Sequence, residues 1–111
     1  MERIRKINSL IRQHISLLIS RHVDFKPGVF VTIPKVDTSA DLRYTRISVS
    51  IYPSKESHYA METLKKEKYT LQKELHKLLH MKPLPRITFY EDTTEAEADE
   101  IEKILIDIHN E

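Results

Sequence analysis

Leu42-Arg43-Tyr44-Thr45-Arg46-Ile47-Ser48-Val49-Ser50-Ile51-Tyr52 is the stretch that decides the fold. Thr45, Ile47, Val49 and Ile51 alternate with Tyr44, Arg46, Ser48, Ser50 and Tyr52. Successive side chains on a strand point to opposite faces, so the segment predicts a strand with one face on a core and one toward solvent. Upstream, Val29-Phe30-Val31-Thr32-Ile33 is β-branched and aromatic and predicts a second strand. Pro34 has no N–H for a ladder, which puts this strand at a sheet edge or places a bulge there. Asp37-Thr38-Ser39-Ala40-Asp41 is rich in turn formers. The pair reads as an antiparallel hairpin covered on one side.

Helices flank the hairpin. Over about residues 2–22, Ile4, Ile7, Ile11, Ile15, Leu18 and His22 recur at three and four residues and predict an amphipathic helix. Arg5 and Arg12 share one flank of its stripe, and His14 borders the stripe as a half-buried packing residue. Lys26-Pro27-Gly28 then turns the chain. After Pro53-Ser54, the apolar face of the next helix is Ala60, Met61, Leu64, Leu71, Leu75, Leu78 and Leu79. Glu67 and Lys68 interrupt it, which predicts two helical pieces meeting near residues 66–70. Lys66, Lys73 and Lys77 lie opposite the leucines as a basic ridge.

Pro83 and Pro85 end this helix, because the residue before a proline is disfavoured in the helical region. Arg86-Ile87-Thr88-Phe89-Tyr90 predicts a third short strand. Thr94 and Glu97 have capping-box spacing, and Ile101, Ile104, Leu105 and Ile108 give a last, acidic helix over about 94–109 its apolar side. Helices must cover one face of a three-stranded sheet, giving a two-layer α+β domain. The second strand returns through a helix to the third, and a right-handed crossover sets those two parallel.

With 111 residues the chain is expected to form one domain, residues 1–111. It has no cysteine, which removes disulfides and thiolate metal sites. No run approaches the roughly 20 apolar residues of a membrane span, so a soluble, cytoplasmic protein is expected. The net charge of +1 hides a segregation: residues 1–86 hold 17 of the 18 Lys and Arg but 8 of the 17 Asp and Glu. That arrangement suits a basic surface for a polyanion with an acidic segment kept apart from it.

The element order, less its last helix, is that of the type II KH domain, a nucleic-acid-binding fold. Within it, Val36-Asp37-Thr38-Ser39-Ala40-Asp41-Leu42-Arg43-Tyr44, leading into Ile47-Ser48-Val49-Ser50, resembles the ribosome-binding factor A family: a valine, then serine-x-aspartate-leucine, then an alternating strand. Leu75, Leu79, Met81, Lys82, Pro85, Ile87, Phe89 and Asp92 are similar to a second block of that family. The resemblance spans essentially the whole chain. It implies a non-catalytic ribosome assembly factor, linked to growth in the cold, that binds the free small (30S) subunit. There it assists late maturation of 16S ribosomal RNA, including processing of the 5′ end. It implies no cofactor, no small-molecule substrate and no membrane partner, and a monomer is expected. One departure is visible: the family's alanine-x-glycine step between its two helical pieces falls on Glu67 and Tyr69. The glycine that lets backbone come close is absent, and Glu67 repels phosphate. The alternative reading is therefore a KH-fold protein–protein adaptor with weakened RNA binding.

The residues expected to meet RNA are Lys65, Lys66, Lys68, Lys73 and Lys77, with Arg5, Arg12, Lys82 and Arg86 extending the surface. On composition alone a lysine-rich helix face is as often a solvated surface; the resemblance favours RNA. Tyr44, Tyr52, Tyr59 and Tyr69 are candidates for stacking on unpaired bases, although surface tyrosines are common on strands. His76 and His80 have the i, i+4 spacing of a metal pair, but with no third ligand on their face a polar helix flank is the preferred reading. Glu91, Asp92, Glu95, Glu97, Asp99 and Glu100 suit the positive end of a helix dipole better than a nuclease metal site. No catalytic residue and no metal ligand is assigned.

Overall fold

A computed structural model of the chain describes residues 2–82 and 84–92. Helix α1 (Glu2–His22) leads into strand β1 (Phe30–Thr38) and strand β2 (Tyr44–Tyr52). A 3-10 turn (Ser54–Glu56) then opens helix α2 (Ser57–Leu78), and strand β3 (Arg86–Glu91) follows. The expected last helix, with its Thr94–Glu97 cap, lies outside the described residues.

The strands form one sheet in the order β1-β2-β3, with β1 antiparallel and β3 parallel to β2. Thr45, Ile47, Val49 and Ile51 are all buried, as their alternation predicts. β1 runs further than its sequence suggests, to Thr38, and it passes straight through Pro34. The register jumps between Thr32 and Lys35, so Ile33 and Pro34 together face a single residue of β2. A proline fits here because β1 is an edge strand and the bulge needs no N–H from it. Arg12 of α1 closes the irregularity: its Nε donates to the Ile33 carbonyl at 2.7 Å.

The turn between β1 and β2 gives the serine-x-aspartate-leucine stretch its physical role. Ser39 Oγ donates to Asp41 Oδ1 at 2.6 Å, and the Arg43 N–H donates to the same oxygen at 3.1 Å. The Tyr44 N–H in turn donates to Ser39 Oγ at 3.1 Å. These bonds hold Leu42 at a φ of 63°, a left-handed backbone that costs a non-glycine residue about 1 kcal/mol or more. Its buried side chain offsets the cost. The two hydrogen bonds also hold the Asp41 carboxyl below its ordinary value, the Ser39 bond contributing most.

α1 lies over β1, α2 lies over β3, and the two helices pack on each other. Ile11, Ile15, Leu18, Ile19 and Val23 from the first helix region meet Ala60, Leu64, Leu71, Leu75 and Leu79 and the inner face of the sheet in one core. The buried row on α1 steps by four through Ile19 to Val23, so the expected His22 is exposed and Ile4 and Ile7 are only half-buried.

α2 corrects a second expectation. It is a continuous α-helix from Ser57 to Leu78, not two pieces meeting near residues 66–70. Leu64 and Leu71 are seven residues apart, two turns of helix, so the buried stripe resumes in register after Glu67 and Lys68 without a break. Glu67 and Lys68 are accommodated half-buried at its border.

Candidate nucleic-acid interface

The positions along α2 determine which lysines act together. Lys66, Lys73 and Lys77 are seven and four residues apart, and a helix drifts only roughly 20° per seven residues. They make one exposed stripe, on the side opposite Leu64, Leu71 and Leu75. Lys77 is paired with Glu74 at 3.2 Å. Among the described residues neither Lys66 nor Lys73 has a carboxylate partner. Lys65 is exposed one step round the helix, with Glu62 at 3.8 Å. Lys68 leaves the group, half-buried on the core side of the helix.

The flank of α2 next to the stripe is bolted to β3. Gln72 Oε1 accepts the Ile87 N–H at 3.0 Å, and His76 Nε2 lies 2.8 Å from the Pro85 carbonyl oxygen. β3 is thereby held at the α2 edge of the sheet, where Lys82 is exposed on the connection between the two elements. Arg86, exposed at the start of β3, shares the outward face with Tyr90 instead, because Ile87 and Phe89 point inward. Arg5 and Arg12 sit on the flank of α1 that overlooks β1, at the opposite edge of the sheet, where Arg12 is tied to Ile33. The nine cations expected at one surface thus separate. Lys65, Lys66, Lys73, Lys77 and Lys82 stay together along α2, and Arg5 and Arg12 form an α1–β1 pair. Lys68 turns toward the core, and Arg86 lies on the open face of the sheet.

His76 is engaged with backbone and His80 is exposed. Among the described residues no three His, Asp or Glu side chains gather as a metal site. Tyr59 is also withdrawn from stacking. Its hydroxyl accepts the Lys26 N–H at 2.9 Å, the Lys26 ammonium lies 5.0 Å from its ring centre, and Phe25 meets it edge-on.

The sheet face away from the helices brings Tyr44 and Arg86, expected from the sequence as RNA contacts, together with Arg43, Arg46 and Tyr90, which the sequence did not single out. The Arg46 guanidinium lies over the Tyr90 ring, 4.5 Å from its centre. Arg43, Tyr44, Leu84 and Arg86 line a small pocket at one end of β2 and β3, where the Arg86 N–H donates to the Arg43 carbonyl at 2.8 Å. Alternation within Arg86–Tyr90 was the available signal for Tyr90, since Ile87 and Phe89 point inward. Nothing in the sequence pairs it with Arg46.

A mixed three-stranded sheet with two helices on one face, in this order and with a basic outer helix, is the type II KH-like architecture of nucleic-acid-binding proteins. Known proteins agree. The family model described as ribosome-binding factor A matches residues 3–105. The ribosome-binding factor A of Chlorobium phaeobacteroides is 30% identical over 112 residues, covering 98% of this chain and 96% of that protein. The solution structure of a Thermotoga maritima protein described as a ribosome-binding factor A superposes with a TM-score of 0.71 at 27% identity, over 83% of this chain and 89% of that one. A homology model of the Thermus thermophilus ribosome-binding factor A, as fitted into a cryo-electron-microscopy map of its complex with the 30S subunit, shares the fold with a TM-score of 0.63 at 22% identity, over 77% of this chain and 90% of that one. The chain belongs to the ribosome-binding factor A family.

Proposed function

We propose that this protein is a non-catalytic assembly factor that docks on the free small ribosomal subunit, binds 16S ribosomal RNA and assists its late maturation, including processing of the 5′ end. A homology model of the Thermus thermophilus relative was fitted into a map of a 30S complex, and this chain shares its fold and family. The observation that carries the reading is the stripe of Lys66, Lys73 and Lys77 on the outer surface of α2, two of its ammonium groups without a carboxylate partner among the described residues.

Lysines along a rigid helix contact successive phosphates and release their counterions, which provides affinity without reading sequence. Lys65 and Lys82 extend that surface toward β3. Docking on one RNA conformer better than on another shifts the population toward it, and this differential affinity is the whole mechanism proposed. The chain acts as one domain, as a cytoplasmic monomer, and leaves cleavage to other enzymes.

The test is co-sedimentation of the full chain with free small subunits. Association is expected to weaken steeply as salt rises, and a Lys66→Glu, Lys73→Glu, Lys77→Glu variant with unchanged circular dichroism is expected to lose it. Undiminished association of that variant overturns the reading. Salt-insensitive capture of a protein without RNA establishes the adaptor reading instead.

A further inference from the structure

The two helices cover one face of the sheet, and among the described residues the other face is bare. Phe30, Tyr44, Tyr52 and Tyr90 stand on that bare face with 64%, 59%, 50% and 44% of their surfaces exposed. Phe30 has no polar atom in its side chain, so water does nothing for it, and its register partner across the ladder is Tyr52. Cations alternate with the rings. Arg86 is the register partner of Tyr44, and Arg46, next on the same face of β2, stacks on Tyr90. Lys35 adds a third positive group from β1, and the carboxylate beside it, Asp37, is paired with it at 3.3 Å. The face as a whole is positive and aromatic.

We propose that the open sheet face is a second RNA surface, on which unpaired bases stack on the Tyr44 ring and on the flat platform that the Arg46 guanidinium makes with Tyr90, while Arg43 and Arg86 hold a phosphate at the end of the strand pair. This rests on the RNA-binding reading of the protein and extends it from phosphate contact to recognition of single strands. Rings and cations together select the partner. A duplex offers phosphates but hides its base faces, whereas an unpaired strand offers both. Side chains on one face of a strand recur about every 6.7 Å, so β2 presents Tyr44, Arg46 and the Ser48–Tyr90 pair as successive stations for a strand running along it.

The chain's own acidic stretch beyond Asp92 is the rival occupant by charge. Its apolar residues Ile101, Ile104, Leu105 and Ile108 are aliphatic and call for a continuous apolar groove. This face sets Thr32, Ser48 and Thr88 between its rings, which suits flat bases edged with polar atoms.

The experiment measures fluorescence anisotropy of a labelled oligouridine of about eight nucleotides, within the span such surfaces cover, and of an RNA duplex, both with the full chain. The wild-type chain is expected to prefer the single strand. A Tyr44→Leu, Tyr90→Leu variant is expected to bind it at least tenfold more weakly, whereas Tyr44→Phe, Tyr90→Phe, which keeps both rings and removes the hydroxyls, is expected to match wild type. Both positions are exposed, so neither variant disturbs the core. Leucine variants that bind as wild type overturn the proposal, as do phenylalanine variants that lose as much as leucine. If the α2 lysine reversals abolish subunit association while the leucine variant binds oligouridine normally, the sheet face fails and the proposed function stands. If the wild-type chain ignores small subunits but loses oligouridine with its rings, the proposed function fails and the face stands. A photocrosslinker placed at Tyr52 that joins residues 93–111 and is not displaced by oligouridine assigns the face to the chain's own end and overturns the proposal.

Discussion

Gln72 reaches from α2 to the outer edge of the sheet and accepts the Ile87 N–H at 3.0 Å. β3 is an edge strand, and the side chain of Ile87 is fully buried, so this amide has no second strand to bond. The helix supplies the missing acceptor. The same bond holds the lysine stripe at a set distance from Arg86.

Gln72→Ala leaves that N–H without an acceptor and is expected to lower stability by about 1–3 kcal/mol. Gln72→Glu retains an oxygen at the same reach and is expected to lose less. Urea denaturation reads both as a shift in midpoint at unchanged slope.

Arg12 is expected to matter for folding and not for RNA. Arg12→Ala removes the donor that satisfies the Ile33 carbonyl at the bulge, a loss of about 1 kcal/mol. Because Arg12 overlooks β1 while the lysine stripe belongs to α2 over β3, co-sedimentation with small subunits is expected to stay at the wild-type level. A loss of association by a stably folded Arg12→Ala protein contradicts this division of the cations.

Asp41 is expected to link stability to acid pH. Hydrogen bonds from Ser39 and from the Arg43 N–H hold its folded-state carboxyl below the ordinary value. A carboxyl lowered on folding binds fewer protons in the folded chain than in the unfolded one. Its contribution is therefore complete above the ordinary carboxylate value and is lost as pH falls through the folded-state value. Denaturation midpoints of wild type and Asp41→Asn are expected to differ by a constant amount above about pH 5 and to converge below about pH 4. A difference that grows toward acid refutes this.

Tyr69 occupies the place where the family's glycine would fall, in the middle of a continuous helix, with 78% of its surface exposed. Tyr69→Gly removes little packing, so its cost measures helix continuity. The expected loss is about 1 kcal/mol relative to Tyr69→Ala. Equal stability of the two variants would mean that the helix is already broken there.

Where a residue's environment depends on its own strand or helix, the sequence was enough. The alternation from Tyr44 to Tyr52 placed β2 and its two faces, because a pleated strand has one geometry. The seven- and four-residue spacing placed Lys66, Lys73 and Lys77 on one stripe for the same reason. The break at Glu67 and Lys68 misled, because polar residues at the border of a buried stripe read like an interruption when the depth of the neighbouring helix is unknown. β1 beyond Pro34 was hidden because a bulge at an edge, closed by an arginine from another element, leaves no local signature.

Local patterning therefore determined the elements, their inward faces and the lysine stripe, since each follows from backbone periods of two and 3.6 residues. Only the tertiary structure decided which charges meet. The sheet order β1-β2-β3 with α1 over β1 and α2 over β3 sends Arg12 to one edge and Arg86 to the other, and it brings Arg46 onto Tyr90 from 44 residues away in the chain. Such encounters depend on strand pairing across the chain, and no spacing within a single segment encodes them.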